Sequence, residues 1–338
     1  MQGTFREEHD QVIDRDVRVF SHDGREFRYP AVLGGRYEPV GIMAIGGFGI
    51  LLHALHRRIF DRHVLIKAAL VGTHELARPR NAALPEALQE ARRRMEHERK
   101  MLLHGRLRHV GAIPTLIDWF DDVNPTVRGP HVDPDGQPFT NDDPSLWRDS
   151  RYLVLGHIDG VQLDVHCRSD RFRRAWLAET KVLGMYLAAT LQPFHMAKAF
   201  GNAAIHFVYQ DLKPANIIVT RVSGHYHLID FGSFAVVGPG GPQLADAHTE
   251  GYAAPERGRI SLADSCHPRI DVYSLGVVLS QAIQWGSGAD SAPVDAPIDS
   301  LPVPPEWKTF LGRCREPAPD VRLQSMDQVL TCLGRLRA

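Results

Sequence analysis

The sequence predicts an α+β protein of two parts, in which a small antiparallel β-sheet region with one long helix precedes a larger, mostly α-helical region. Three observations predict this fold class. Short β-type runs bounded by glycine or charged turns begin at Arg36. A long run of helix-forming residues starts at Pro85, and helical patterns dominate from about Asp164. At 338 residues, the chain suits one two-lobed domain or two small domains better than an array.

The first region is expected to hold several strands around its helix. Pro85 occupies the first helical position, and strong helix formers continue to Gly105. The strands are expected at 37–44, 50–55, 64–70, 113–120 and 152–155. Residues 121–151 are rich in Asp, Pro and Gly, which predicts an inserted loop.

The remaining segments are less regular. Residues 1–35 are a polar extension whose V-R-V-F and R-E-F-R-Y runs predict a hairpin around Asp23-Gly24. Within the helical region, a loop-rich stretch is expected at 209–260 and a linker at 287–305.

Composition excludes several classes of protein. With 43% hydrophobic and 23% charged residues and a net charge of −1, the chain is neither disordered nor basic enough to bind nucleic acid. The four cysteines lie far apart, which favours a reducing compartment. No apolar run is long enough to span a bilayer, so the sequence predicts a cytoplasmic protein without a membrane partner.

Histidine is frequent, so a metal site has to be considered. His53 with His56, or His225 with His227, could form a ligand pair. None of them has zinc-finger spacing, which favours ordinary surface or loop histidines.

The segment D-L-K-P-A-N at 211–216 carries the first chemical signal. Its three polar residues can converge on a phosphate that is being transferred. Asp211 would orient the attacking hydroxyl, Lys213 would offset charge on the γ-phosphate, and Asn216 would hold a metal ion.

A second signal, L-I-D-F-G at 228–232, follows a predicted hairpin. Asp230, at a strand end beside a glycine, could bind a second metal ion that bridges two phosphates. In this order and spacing, the two motifs resemble those of the eukaryotic-type (Hanks-type) serine/threonine protein kinases. G-R-Y at 35–37 and G-G-F-G at 46–49 resemble sequences of bacterial members of that family.

The resemblance implies the two-lobed protein kinase fold over residues 36–335. It implies an N-lobe at 36–155 containing the 121–151 insertion, a hinge at 156–163 and a C-lobe at 164–335, with 1–35 left as an N-terminal extension.

The resemblance also implies a nucleotide site. The glycine-rich turn A-I-G-G-F-G-I-L at 44–51 retains three glycines, although Ala44 replaces the family's first. Lys67 in V-L-I-K would reach the α- and β-phosphates, and Glu98 would hold it, with Glu96 and Glu90 as alternatives. The residues expected at the phosphates and the adenine, several of which could equally be plain core, are Gly46, Gly47, Gly49, Leu51, Leu65, Leu155, Gly156, Ile158 and Ile218.

Three structural residues are implied as well. Glu256 of the A-P-E motif would pair with the distant Arg322, and Asp271 would brace the catalytic loop. Tyr209 replaces the common histidine and should still pack against Phe231.

The sequence departs from the family at a regulatory position. Gln210 stands where an arginine would receive an activation-loop phosphate, and a neutral amide cannot do so. Residues 234–248 contain no Ser, Thr or Tyr. Loop phosphorylation is therefore not expected to activate the protein, which would be constitutively competent or controlled by a regulatory protein partner.

The expected activity is transfer of the γ-phosphoryl group of ATP, with Mg²⁺ or Mn²⁺, to Ser/Thr hydroxyls of protein substrates. Lys213 and Thr249 favour serine/threonine over tyrosine. A pseudokinase scaffold that binds nucleotide and regulates a partner is the alternative. A small-molecule phosphotransferase ranks below both, because such enzymes generally lack the A-P-E motif.

Overall fold

The structure, a computed structural model, describes residues 2–6, 12–22, 25–46, 49–59, 62–69, 84–104, 111–122, 126–128, 131–132, 138–139, 150–196, 198–200, 203–239, 241–243, 249–257, 266–289 and 291–337. The chain divides into a first unit, Met1–Leu103 with Pro114–His157, and a second unit, His104–Ile113 with Ile158–Ala338. The division after His157 lies within residues 156–163, where a hinge is expected.

The first unit contains eleven named strands and one helix among its described residues. The strands are β1 (Gln2–Arg6), β2 (Val12–His22), β3 (Arg25–Pro30), β4 (Tyr37–Gly46), β5 (Gly49–His56), β6 (Arg62–Ala68), β7 (Leu116–Asp122), β8 (Thr126–Arg128), β9 (His131–Val132), β10 (Pro138–Phe139) and β11 (Ser150–Gly156), and the helix is α1 (Leu84–Leu103). They form a five-stranded sheet in the order β4-β5-β6-β11-β7, a four-stranded sheet in the order β1-β2-β3-β8, and the pair β9-β10.

Burial alternates along the central strands of the five-stranded sheet. On β5, Leu52 and Ala54 are buried while Leu51 and His53 are partly exposed, and β6 shows the same alternation. Successive side chains of a strand point to opposite faces, so on these two strands one face builds a core and the other, called the open face below, is only partly buried. Leu51, Leu65 and Lys67 share the open face.

The N-terminal extension covers the core face. Phe27 and Tyr29 of β3 are 0% exposed and belong to the same core cluster as Leu52, Ile66 and Tyr152. Burying an aromatic ring removes about 150–250 Å² from water, which contributes roughly 1.5–3 kcal/mol for each ring. The extension is therefore an integral part of the first unit.

The 121–151 insertion contributes to this covering sheet. Its strand β8 pairs antiparallel with β3, and Val127 lies opposite Phe27. The predicted hairpin of the extension is confirmed, since Phe20 of β2 pairs with Phe27, whereas its turn residues Asp23 and Gly24 lie outside the described residues. The sequence did not predict that the extension and the insertion share a sheet.

The second unit is mainly helical and has two small sheets. Its helices are α2 (Leu163–Cys167), α3 (Asp170–Arg173), α4 (Trp176–His195), α5 (Pro268–Gly286), α6 (Pro305–Cys314) and α7 (Met326–Arg335). One sheet has the order β12-β15-β16, from β12 (Gly160–Gln162), β15 (Ile217–Thr220) and β16 (Tyr226–Leu228). The other has the order β13-β14-β17-β18, from β13 (Lys198–Phe200), β14 (Ala203–Val208), β17 (Ala235–Gly238) and β18 (Gly241–Gln243).

The α+β fold class, with a sheet-rich first part and a helical second part, is confirmed. The second of these small sheets was not predicted: β13 and β14 lie where helical structure was expected, and β17 and β18 lie in the stretch 209–260 that was expected to be loop-rich. Among the described residues, no helix combines the length and the apolar character needed to cross a bilayer.

Candidate active site

The predicted glycine-rich turn connects β4 to β5. Across the hairpin, Gly46 pairs with Gly49 and Ala44 pairs with Leu51. A Cβ atom on Gly49 would lie 2.3 Å from the carbonyl oxygen of Ala68, so only glycine fits beside β6. Gly47 lies outside the described residues.

Lys67 on β6 forms an ion pair with Glu98 on α1. Its Nζ lies 2.7 Å from Glu98 Oε2, and the two side chains are 15% and 3% exposed. Breaking such a pair would leave an uncompensated buried charge. The pair therefore fixes the lysine on the open face of the sheet.

Glu96, an alternative partner, is engaged elsewhere. It accepts hydrogen bonds from Arg99 Nε at 2.8 Å and from Arg151 Nη1 at 2.7 Å. The hydrogen bond from Arg99 is the main cause of a lowered Glu96 pKa. The Glu90 side chain lies outside the described residues. Glu98 is thus the glutamate that the structure pairs with Lys67.

The residues expected around the adenine are divided between the units. Leu51, Leu65, Leu155 and Gly156 belong to the first, where Leu155 pairs with Leu65 and Gly156 pairs with Val64. Ile158 and Ile218 belong to the second, where Ile218 pairs with Gln162 of β12. Their role in nucleotide binding stays a prediction.

Three histidines lie beside this open face. His53 Nε2 and His63 Nδ1 are 2.7 Å apart and their rings are stacked, while the His157 ring centroid is 5.8 Å from that of His53. Burial is the main cause of a lowered His53 pKa, and His63 and His157 lower it further. The structure therefore groups His53 with these two residues rather than with His56.

A buried carboxylate in the second unit holds the loop that carries Asp211. Asp271 of α5 is 0% exposed and accepts hydrogen bonds from the backbone N–H groups of Tyr209 and Gln210, each at 2.8 Å. His195 Nε2, at the end of α4, lies 2.8 Å from the same carboxylate. The predicted brace is confirmed, and these contacts fix the backbone directly before Asp211.

Donors surround Asp211. Thr249 Oγ1 donates to its Oδ1 at 2.6 Å, while Lys213 Nζ and Asn216 Nδ2 lie 2.8 and 3.1 Å from its Oδ2. Lys213 also donates to Thr249 Oγ1 at 2.7 Å. A carboxylate offers about four acceptor positions, and the described residues occupy three of them.

The β15–β16 hairpin brings the two predicted metal ligands close in the fold. Asn216 directly precedes β15, and its carbonyl oxygen accepts a hydrogen bond from Ile229 N at 2.9 Å. Asp230 is the next residue along the chain, and its φ of 64° is in the left-handed region. A non-glycine residue in that region costs about 1–3 kcal/mol and is common at functional sites.

The donor set suits a hard divalent cation. The Asn216 amide nitrogen is directed at Asp211, so its Oδ1 is the atom left to bind a metal. One amide oxygen and the Asp230 carboxylate match Mg²⁺, which takes few protein ligands and fills the rest with phosphates and water. The residues present therefore fit Mg²⁺ or Mn²⁺.

Gln210 contacts the segment after Asp230 directly. Its Nε2 donates to the carbonyl oxygen of Ser233 at 2.6 Å, and its φ is 71°. Among the described residues, Gln210 and Asp230 are the two non-glycine residues with positive φ. Further along, β17 pairs with β14, and Val237 lies opposite His206. Neutral backbone contacts thus hold this segment.

Two more expectations from the resemblance are confirmed. Arg322 binds Glu256 through two parallel contacts, Nη1 to Oε1 at 2.7 Å and Nη2 to Oε2 at 2.9 Å. The rings of Tyr209 and Phe231 are both buried, with centroids 5.8 Å apart, and the Tyr209 hydroxyl donates to the carbonyl oxygen of Ile229.

A comparison of the sequence with known protein families identifies the family to which the chain belongs. A family model described as the protein kinase domain matches residues 86–286, more than half of the chain. The chain therefore belongs to the protein kinase family, as the sequence predicted. The match begins after the glycine-rich turn and Lys67, so these two features rest on the structure and the sequence motif.

Several of the similar curated proteins are bacterial serine/threonine kinases. Serine/threonine-protein kinase PknG of Mycobacterium leprae is 25% identical over 303 residues, covering 88% of this chain and 32% of the relative. Serine/threonine-protein kinase F of Synechocystis sp. is 24% identical over 327 residues, covering 91% and 56%. PknG of Mycolicibacterium smegmatis is 25% identical over 312 residues, covering 90% and 33%. The chain spans only about a third to a half of these relatives.

Sequence reasoning missed two features of the site. His195 lies far from Asp271 along the chain, and no spacing rule links them. The second is the hydrogen bond from Gln210 to Ser233. The sequence showed that a neutral amide cannot replace an arginine in binding a phosphate, but it did not show which group the amide binds.

The lowered pKa of His53 predicts acid sensitivity in the first unit. Because the folded-state pKa of His53 lies below its unfolded value, folding favours the neutral ring, and stability should fall as the pH drops through the folded pKa. Replacing His63→Ala should raise the His53 pKa towards the ordinary value of about 6.5. NMR titration of the ring protons measures this shift. The matched variant His225→Ala, at an exposed position in the second unit, should leave it unchanged, and an unmoved pKa in His63→Ala would contradict the cluster's role.

Proposed function

We propose that the protein transfers the γ-phosphoryl group of ATP to serine or threonine hydroxyls of protein substrates. The observation that carries this proposal is the network at Asp211, in which Lys213, Asn216 and Thr249 direct donors at one carboxylate and occupy three of its roughly four acceptor positions. The names of the bacterial relatives support the serine/threonine class.

In the proposed reaction, the substrate hydroxyl donates its hydrogen bond to Asp211 and its oxygen attacks the γ-phosphorus. The bond from that phosphorus to the β,γ-bridging oxygen breaks, and Asp211 receives the hydroxyl proton. Lys213 offsets the charge that spreads over the γ-phosphoryl oxygens. Since Asp271 holds the two preceding N–H groups, Asp211 needs little reorganisation before the transfer.

Nucleotide binding is assigned to the residues that the motifs single out. Lys67, held by Glu98, would bind the α- and β-phosphates, and the backbone of Gly46, Gly47 and Gly49 would cover the phosphates. Apolar side chains and backbone groups would contact the adenine: Leu51, Leu65, Leu155, Gly156, Ile158 and Ile218.

Asn216 and Asp230 would hold Mg²⁺ or Mn²⁺, which neutralises phosphate charge when bound. The oxygen donors of these side chains support this choice over softer metals. The hydrogen bond from Ile229 N to the carbonyl oxygen of Asn216 holds together the backbone next to both proposed ligands.

Activation is proposed to be independent of loop phosphorylation. Gln210 bonds a backbone carbonyl where an arginine would bind a phosphate, and β17 is hydrogen-bonded to β14 without any modification. A regulatory protein partner could still act through the 121–151 insertion or the N-terminal extension. The cytoplasm is the proposed location, because all four cysteines are free thiols.

Transfer activity is tested with purified protein, radiolabelled ATP, Mg²⁺ and generic acceptor proteins. Wild type should label acceptors, whereas Asp211→Asn and Lys67→Met should lose on the order of 10²-fold or more of the rate. Asp230→Asn should lose metal-dependent activity while its circular dichroism stays native. Asp320→Asn, whose side chain is 87% exposed, is the matched control and should remain active. Nucleotide binding by wild type without any transfer would contradict the proposal and favour a pseudokinase.

Independence from loop phosphorylation has its own test. Phosphatase-treated protein should keep its activity within about twofold, because neutral contacts already hold the segment. The rate is compared before and after treatment, and phosphosites are mapped by mass spectrometry. Loss of most activity together with a phosphosite at 233–249 would contradict this expectation.

A further inference from the structure

Thr249 contacts Asp211, so the next residue along the chain, Glu250, lies near the proposed reaction centre. Its hydroxyl donates to Asp211 Oδ1 at 2.6 Å and accepts from Lys213 Nζ at 2.7 Å, so Thr249 is fixed against the proposed base. Consecutive Cα atoms are about 3.8 Å apart, which puts Glu250 one residue step from that contact. A peptide whose hydroxyl reaches Asp211 must therefore pass close to Glu250.

The turn that carries Glu250 is held from several sides. The carbonyl oxygen of Thr249 accepts hydrogen bonds from Tyr252 N at 3.1 Å and Ala253 N at 3.2 Å. Tyr252 is anchored in turn, because its hydroxyl donates to Gln281 Oε1 at 2.5 Å and its carbonyl oxygen accepts from Ser274 Oγ at 2.8 Å. The backbone at Glu250 thus has a defined position.

The side chain of Glu250 is exposed, and none of the described residues forms a hydrogen bond or an ion pair with it. Nearby charges are already matched: Lys213 lies 2.8 Å from Asp211, and Glu256 is bound by Arg322. Residues 231–256 contain no Lys or Arg. Within the part of the chain that the structure describes, no cation therefore pairs with Glu250, whose carboxylate adjoins the residue that contacts Asp211.

We propose that Glu250 is a specificity-determining residue that selects acceptor peptides with an arginine or lysine directly adjoining the serine or threonine. This inference rests on the proposed kinase function and specifies its substrate class. An exposed ion pair contributes modestly, so the expected preference for a basic over a neutral neighbour is about two- to fivefold in kcat/KM. Because the pair is exposed, salt should weaken the preference.

The test measures kcat/KM for serine peptides that differ at one adjoining position, before or after the serine, where Arg, Ala or Glu is placed. Wild type should favour Arg over Ala and Ala over Glu at one of these positions. Glu250→Gln should bring the Arg-to-Ala ratio close to one, and Glu250→Lys should favour Glu over Arg. The matched control, Glu306→Gln at another exposed glutamate, should keep the wild-type ratio.

Equal ratios in active wild type, or an unchanged ratio in active Glu250→Gln, would overturn this inference and leave the kinase function intact. Wild type that phosphorylates neither peptides nor proteins would overturn the kinase function and the inference with it. The two failures are therefore distinguishable in one set of assays.

Discussion

In the second unit, the backbone that leads to Asp211 is held by one buried carboxylate. Asp271 offers its two oxygens to the backbone of Tyr209 and Gln210, and its Oδ2 also contacts His195. A buried charge of this kind is tolerated when several donors satisfy it, and the same hydrogen bonds make the donors' backbone more rigid. Helix α5 thereby holds the backbone from which Asp211 projects, so a core helix determines the position of the carboxylate that we propose as the base.

Further hydrogen bonds hold the backbone next to Gln210 and Asp230, and both partners of each bond are groups of the chain itself. The backbone N–H of Gln210 donates to Asp271, and the Gln210 side chain donates to the carbonyl oxygen of Ser233. At the base of the β15–β16 hairpin, Ile229 N donates to the carbonyl oxygen of Asn216. Backbone hydrogen bonds of this kind do not depend on a modifying enzyme. They can nevertheless hold two strained residues, Gln210 and Asp230, in left-handed conformations.

Much of the site could be predicted from local sequence, because its chemistry lies in two short motifs and a hairpin between them. What could not be predicted depends on long-range packing. The pairing of β3 with β8 joins segments about 100 residues apart, and strand pairing of that range is set by tertiary context. Likewise, the sequence favoured Glu98 as the partner of Lys67 but left Glu96 and Glu90 open. Glu96 and Glu98 face different directions on the helix, and the packed neighbours show that Glu98 faces Lys67.

The positioning of Asp211 by Asp271 can be measured by separating kcat from nucleotide affinity in Asp271→Asn. An amide in this place would turn one acceptor into a donor and leave a buried backbone N–H unpaired. We expect kcat to fall about 10²-fold, as when a reacting group is displaced by about 1 Å, while the nucleotide Kd stays within about twofold. A folded Asp271→Asn protein with wild-type kcat would contradict this positioning role.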